Sequence, residues 1–264
     1  MIRWAIPVLI VSAFGFGLLG LSRSSHAQDP NLSVVDNFDS SAEGWQVYDY
    51  EESVAQGGTN VFYPATWESS GGVGNSGYVW GDDSRWSIDT PENPHSILSF
   101  IIYRDWVGGS SLDLRDARMS VALRGDALDL KGGSVYFWVL GEGRTTRWHL
   151  TTSPLDVADG QWGSLQSVTL ANDESLWHRS WSWNASNPAS LDQVLRSADS
   201  YGFSFVGFSE EVTGTFSMDQ LSLVAVPEPT GLVLLTTGAA FLCLIRKRKR
   251  RLAAPHSTVM ETHS

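Results

Sequence analysis

Disulfide stabilisation is excluded for nearly all of this chain. Its one cysteine, Cys243, stands in an apolar run near the C-terminus, so the residues from Gln28 to Val226 must hold together by packing alone. Charge is also scarce, at 18% of residues, and it leans one way. Ten basic and 27 acidic side chains lie between Gln28 and Val226, a local net charge of −17. A surface of that sign repels nucleic acid and anionic lipid headgroups, which excludes both as partners of this region. It accommodates calcium, cationic partners and neutral sugars, and in its plainest role it keeps the domain soluble.

The signatures of common catalysts are missing too. There is no Gly-x-Ser-x-Gly elbow, no His-Glu-x-x-His, no Walker loop and no Glu-x-Asp-x-x-Glu strand motif. His95, His149 and His178 lack the spacing of metal ligands. Paired carboxylates for glycoside hydrolysis stay open in so acidic a chain. No catalytic residue is assigned, and the chain is not expected to be an enzyme. Long helical periodicity is likewise lacking, which excludes βαβ crossovers and a parallel sheet.

Glycine, at 25 residues, and aromatics, at 11%, are abundant. They fall into short alternating runs: Trp45–Tyr48, Ile97–Tyr103, Met119–Leu123, Ser134–Leu140, Thr146–Thr151, Leu165–Leu170, Tyr201–Phe208 and Thr215–Val224. Gly-rich turns such as Gly71-Gly72, Gly132-Gly133 and Gly141-Glu142-Gly143 separate them. In Ser134–Leu140, Val135, Phe137 and Val139 share one face, and Tyr136, Trp138 and Leu140 the other. One short helix is expected over Leu191–Ala198, with Ser190 as its N-cap. The pattern predicts an all-β fold, an antiparallel β-sandwich of the jelly-roll kind with nine or ten strands.

The two ends carry a different message. Arg3, an apolar stretch from Trp4 to Leu21, and the small residues Ser25 and Ala27 form a secretory signal with cleavage after Ala27. An uncleaved anchor is the alternative. At the other end Pro227-Glu228-Pro229 precedes the apolar run Gly231–Ile245 and the basic run Arg246–Arg251. The two prolines hold the backbone extended and open to a processing enzyme. Fifteen apolar residues span about 22 Å as a helix, short of a hydrocarbon core of about 30 Å, a gap that snorkelling Lys and Arg side chains narrow. The basic run stays on the cytoplasmic side, so the preceding domain faces outward. The expected organisation is a signal peptide over 1–27, a β-sandwich ectodomain over 28–225, a sorting and anchor segment over 226–251 with one short transmembrane helix, and a polar tail over 252–264.

That C-terminal arrangement resembles the PEP-CTERM sorting signal of Gram-negative and related bacteria. The resemblance covers about 25 residues and departs from the family in the tail Leu252–Ser264, which follows the basic run. It implies an exosortase-type processing enzyme as a partner and a destination at the cell surface or in the extracellular matrix. Between the ends, Asn37-Phe38-Asp39-Ser40-Ser41-Ala42-Glu43-Gly44-Trp45 opens a domain that resembles the laminin B (domain IV) family, and Met218-Asp219-Gln220-Leu221-Ser222-Leu223 closes it. The wider galactose-binding-like carbohydrate modules share these opening and closing phrases. Both resemblances imply a jelly roll with a noncatalytic binding role.

Two candidate sites follow. Jelly-roll carbohydrate modules often hold one structural calcium with an acidic residue after the first strand's Phe and an Asp in the last strand. The matching positions are Asp39 and Asp219, with Asp36 or Glu43 available to complete an oxygen set. Eleven of the 12 Trp lie between Gln28 and Val226, and sugars stack their apolar faces on indoles. Tyr136, Trp138 and Trp148, on neighbouring strands, are the first candidates for a polysaccharide platform. Trp177, Trp181 and Trp183 are the second, on one side of an extended segment. Core packing is the plainer role for any one of them. The expected function is noncatalytic binding at the cell surface, with polysaccharide as the ligand; a structural matrix or adhesion component with protein partners is the alternative.

Overall fold

The computed structural model describes residues 29–49, 61–85 and 96–226. Ala27, Pro227, Glu228 and Pro229, and with them the signal and anchor segments, lie outside the described residues. Among the described residues no helix is long and apolar enough to cross a membrane.

Fourteen strands form two seven-stranded sheets among the described residues. Sheet I runs in the order β10 (Ala158–Asp159), β7 (Arg118–Asp129), β14 (Thr213–Val224), β5 (Tyr78–Asp82), β4 (Thr66–Glu68). In addition, β1 (Ser33–Asp36) pairs with β14, and β11 (Gln166–Thr169) pairs with β7. Sheet II runs β12 (His178–Ser182), β9 (Thr146–His149), β8 (Ser134–Gly141), β13 (Ala198–Val206), β6 (Ser96–Tyr103), β2 (Gln46–Asp49), β3 (Val61–Pro64). Among the described residues the strand pairings are antiparallel except the two-residue β10 against β7. The expected antiparallel sandwich is therefore present, with more strands than the nine or ten read from the sequence. The strands not read from the sequence are short: β4 and β10 have three and two residues, too few to show an alternation, and β1, β3, β5 and β12 have four or five.

The sheets close on an aromatic interior. Val135, Phe137 and Val139 face inward, as their spacing predicts, and join Trp45, Phe100, Tyr201, Phe203, Phe205 and Phe216 in one buried cluster. Phe216 of sheet I meets Phe100 and Phe205 of sheet II at 5.3 Å between ring centroids in each case. Trp45 is fully buried, stacks on Phe203 at 6.3 Å and meets Tyr201 edge-on at 5.8 Å. Burying a ring of this size contributes on the order of 3 kcal/mol. Its indole N–H would be a liability there if unmet, and it donates to Asp36 Oδ2 at the end of β1, 2.8 Å away.

The helix α1 (Leu191–Arg196) forms where the sequence places one. Ser190 Oγ accepts from Gln193 N, and the Gln193 side chain accepts from Ser190 N, a reciprocal cap. Leu191, Val194 and Leu195 bury the helix against the sandwich interior. It stops short of Ala198 because that residue opens β13.

Candidate functional site

The outer face of sheet II carries a second apolar cluster, separate from the sandwich interior. Tyr48, Leu98, Ile101, Trp138 and Leu140 are buried there, with Phe62, Tyr103 and Trp181 packed against them. The strand between, β13, contributes the small residues Ser200, Gly202 and Ser204 to the middle of this face, because its aromatic residues point inward. Trp138 lies across that strip. A Cβ at Gly202 would stand 3.0 Å from Trp138 Cζ2 and only 2.0 Å from the Phe100 carbonyl oxygen, so no larger residue fits. Trp138 Nε1 and Ser200 Oγ are both buried without a hydrogen-bond partner. Beside them His149 Nε2 and Ser204 Oγ share a 2.6 Å hydrogen bond. Burial, then the charges of Arg147 and His178, hold the His149 imidazole well below its usual range, so it is neutral at physiological pH.

Exposure on this face is concentrated at its two edges. Beyond β12, Trp183 is 77% exposed and its ring lies 5.4 Å from that of Trp181. At the opposite edge a 3-10 turn over Arg104–Val107 presents Trp106, 47% exposed. Trp106 packs on Tyr103 at 4.5 Å and on Phe62 at 5.0 Å. Arg144, ion-paired with Asp105, covers Tyr103 at 4.3 Å from the ring centroid. Trp106 follows β6, which lies four strand spacings from β12, about 19 Å.

The predicted aromatic residues divide among these places. Tyr136 is half-buried on the outer face of β8, opposite Ser204. Trp138 faces outward as predicted but is fully buried, so its ring is closed to a ligand. Trp148 is a correction. It sits on the neighbouring strand, but the register sets it opposite Val139, so it points into the sandwich interior, 7% exposed, with its N–H on the Ala189 carbonyl. Trp177 is also a correction. It is buried in the interior and donates to the Ala171 carbonyl, whereas Trp181 lies on the outer face. The register of β12 shifts between Arg179 and Trp181, and one extra residue exchanges the faces, so the three indoles do not share a side. Trp106 was not singled out from the sequence. Its only local signal is an aromatic residue placed just before the Gly108-Gly109 turn.

The two acidic candidates are not drawn into a metal centre among the described residues, where no group of three or more His, Cys, Asp or Glu could hold an ion. Asp39 is exposed. Asp219 is fully buried and its carboxylate already accepts from Val73 N at 2.7 Å, Ser76 Oγ at 2.7 Å and Gln220 N at 2.6 Å. Gln220 has φ +53 at a register shift in β14, the kink that turns this carboxylate toward the Val73–Asn75 turn. Asp219 thus latches a loop with donors standing where a cation would compete.

The acidic pair with unusual chemistry is Asp36 and Glu43. The backbone reverses between them, with φ +55 at Phe38, +53 at Glu43 and +87 at Gly44. Burial raises the Asp36 carboxyl, against hydrogen bonds from Trp45 and Glu43 and the charge of Arg104. Burial, then the Asp36 charge and their mutual hydrogen bond, push Glu43 up to about 7, with Asp39 adding to the effect. One proton is held between two carboxyls, as in any pair that cannot ionise twice at close range.

No family model and no curated protein matches the chain. Among solved structures it is similar to the family 11 carbohydrate-binding module of Clostridium thermocellum in complex with a β-1,3-1,4-mixed-linked tetrasaccharide, at 10% identity over 74% of this chain and 97% of that one, TM-score 0.41. It is similar to the L4b domain of human laminin alpha-2, at 7% identity over 74% and 99%, TM-score 0.41. It is also similar to the adhesin domain of Lys-gingipain from Porphyromonas gingivalis W83, at 11% identity over 74% and 99%, TM-score 0.31.

Two outcomes are expected. The Glu43 carboxyl is raised in the folded state, so the stability it contributes is complete below its ordinary value of 4.5 and lost as pH rises through about 7. The melting temperature therefore falls between pH 5 and pH 8.5, and Glu43→Gln, which keeps a donor for Asp36, removes most of that fall; parallel wild-type and variant curves in a thermal-shift series would contradict this. Asp219→Ala leaves Val73 N–H and Ser76 Oγ without their acceptor and costs about 2 kcal/mol in urea unfolding. The loss is the same in EDTA as in millimolar calcium, whereas a calcium site would show as a wild-type melting temperature that drops in EDTA.

Proposed function

We propose that this is an exported, noncatalytic binding protein whose ectodomain holds a polysaccharide chain across the outer face of sheet II. One observation carries the reading: the exposed indoles Trp183 and Trp106 stand at opposite edges of a single sheet face, each braced by a second aromatic ring. A braced ring loses little conformational freedom when a sugar stacks on it. The spacing suits several consecutive sugar units bridging the two ends, and the domain's charge of −17 favours neutral chains over anionic ones.

The ends of the chain supply the address. A signal cleaved after Ala27 exports the domain, and the apolar run with its basic cluster holds it at the membrane with the domain outside. Pro227-Glu228-Pro229 is the sorting motif for an exosortase-type enzyme, which removes the anchor and delivers the protein to the cell surface or matrix.

In native gels cast with soluble mixed-linkage β-glucan, galactomannan or xyloglucan, at least one polymer retards the full-length protein. Trp183→Ala and Trp106→Ala each weaken that retardation by about tenfold without lowering the melting temperature. Unchanged retardation in both variants would move the site elsewhere, and retardation by none of the polymers would favour a structural matrix role. Mass spectrometry of the mature protein from its host should read Gln28 as the first residue and a C-terminus close to Pro227–Pro229; an intact Leu252–Ser264 tail would place the protein as a persistent membrane species.

A further inference from the structure

The outer face of sheet I carries its own ring cluster, on the opposite side of the sandwich from the face just described. Ser217 on β14 sits directly between Trp80 of β5 and Arg124 of β7, its cross-strand partners on either side. Tyr78 lies two residues from Trp80 on the same face, and its ring meets that of Trp162 at 5.3 Å, nearly perpendicular. Arg124 approaches the Trp162 ring at 5.9 Å and donates to Asp126 Oδ1 through Nε at 3.0 Å and Nη2 at 2.8 Å. Tyr78, Trp80, Trp162 and Arg124 are all half-buried, open on one side.

Two features make this more than a patch of surface aromatics. Both indole N–H groups are tied down, Trp162 to the Gly71 carbonyl at 2.7 Å and Trp80 to Glu68 at 3.3 Å, so the rings are held in place before any ligand arrives. Ser217 Oγ, between the Trp80 and Arg124 side chains, is buried with no hydrogen-bond partner, an unused donor and acceptor at the floor. Burial, then Glu68 and Asp126 against Arg124, raises the Tyr78 hydroxyl, which stays a donor.

We propose that this face is a second saccharide site, for neutral hexose units of a polysaccharide, so that one domain holds a chain on each of its outer faces. Rings stack the apolar face of a sugar, and the Arg124–Asp126 pair offers a fixed donor beside a fixed acceptor, the match for adjacent hydroxyls. Among the described residues Glu68, Asp82 and Asp126 outnumber Arg124 on this face, a balance that disfavours uronic and sulfated chains. The proposal shares with the preceding reading its ligand class and none of its residues.

The test uses the full-length protein in native gels with mixed-linkage β-glucan, galactomannan and xyloglucan, and alginate as the anionic control. The background variant is Trp183→Ala with Trp106→Ala, which removes the exposed rings of sheet II. Retardation by a neutral polymer persists in that background, alginate gives none, and adding Trp162→Ala weakens the remainder by about tenfold. Arg124→Gln, which leaves the rings untouched, weakens it as well and serves should Trp162→Ala lower the melting temperature. No residual retardation in the background, or a residue that neither substitution changes, overturns the second site. Full wild-type retardation in the background, lost with Trp162→Ala, keeps this site and removes the one on sheet II.

Discussion

Trp45 can be satisfied in only one kind of place. Its ring needs the aromatic interior of sheet II, where Phe203 and Tyr201 lie, and its N–H needs an acceptor, which is Asp36 at the end of β1 in sheet I. A single side chain therefore spans the seam and fixes how one sheet sits on the other. The acceptor is a carboxylate drawn out of water, and burial makes its charge costly. The chain answers by folding Glu43 back through a run of left-handed residues to share a proton with it. The strand β1 in turn lies along β14, so the first and last strands of the domain are set by the same constraint.

What could be read from the sequence was whatever a local pattern decides. The inward face of β8, the helix with its Ser190 and Gln193 cap, and the long final strand all follow from alternation or from one turn of chain. Faces that depend on register were not legible. Trp138 and Trp148 are on adjacent strands as expected, but the hairpin between them carries three positive-φ residues, Glu142, Gly143 and Arg144, and its length sets Trp148 opposite Val139. A turn one residue longer or shorter would have sent that indole outward. The same holds for Trp177 and Trp181, separated by a bulge that no composition signals. Asp219 was legible as a singular acid in the last strand, but its partners Val73 and Ser76 come from a loop more than a hundred residues away.

Bulges and turns thus do the sorting between structure and surface. With no cysteine to spare, the domain uses indoles and phenyl rings as its main apolar material, and the same residue types recur on both outer faces. Which rings pack and which are offered depends on parity. Inward rings meet rings from the opposing sheet and vanish from solvent; outward rings meet only their own sheet, and while Trp138 is covered there, Trp106, Trp183, Tyr78 and Trp80 stay partly open.

The polar atoms complete that division. Where an inward indole carries an N–H, the fold supplies an acceptor: Asp36 for Trp45, the Ala189 carbonyl for Trp148, the Ala171 carbonyl for Trp177. On the outer faces this rule is relaxed at the positions that lie under rings. Trp138 Nε1 and Ser200 Oγ on sheet II, and Ser217 Oγ on sheet I, are buried and unmet. Leaving a buried donor unpaired works against stability by about 1–3 kcal/mol. The interior is not wholly answered, since Tyr201 Oη is also buried and unmet, but each inward indole named here has its acceptor, whereas the unmet indole and serine groups fall on the outer sides of the two sheets.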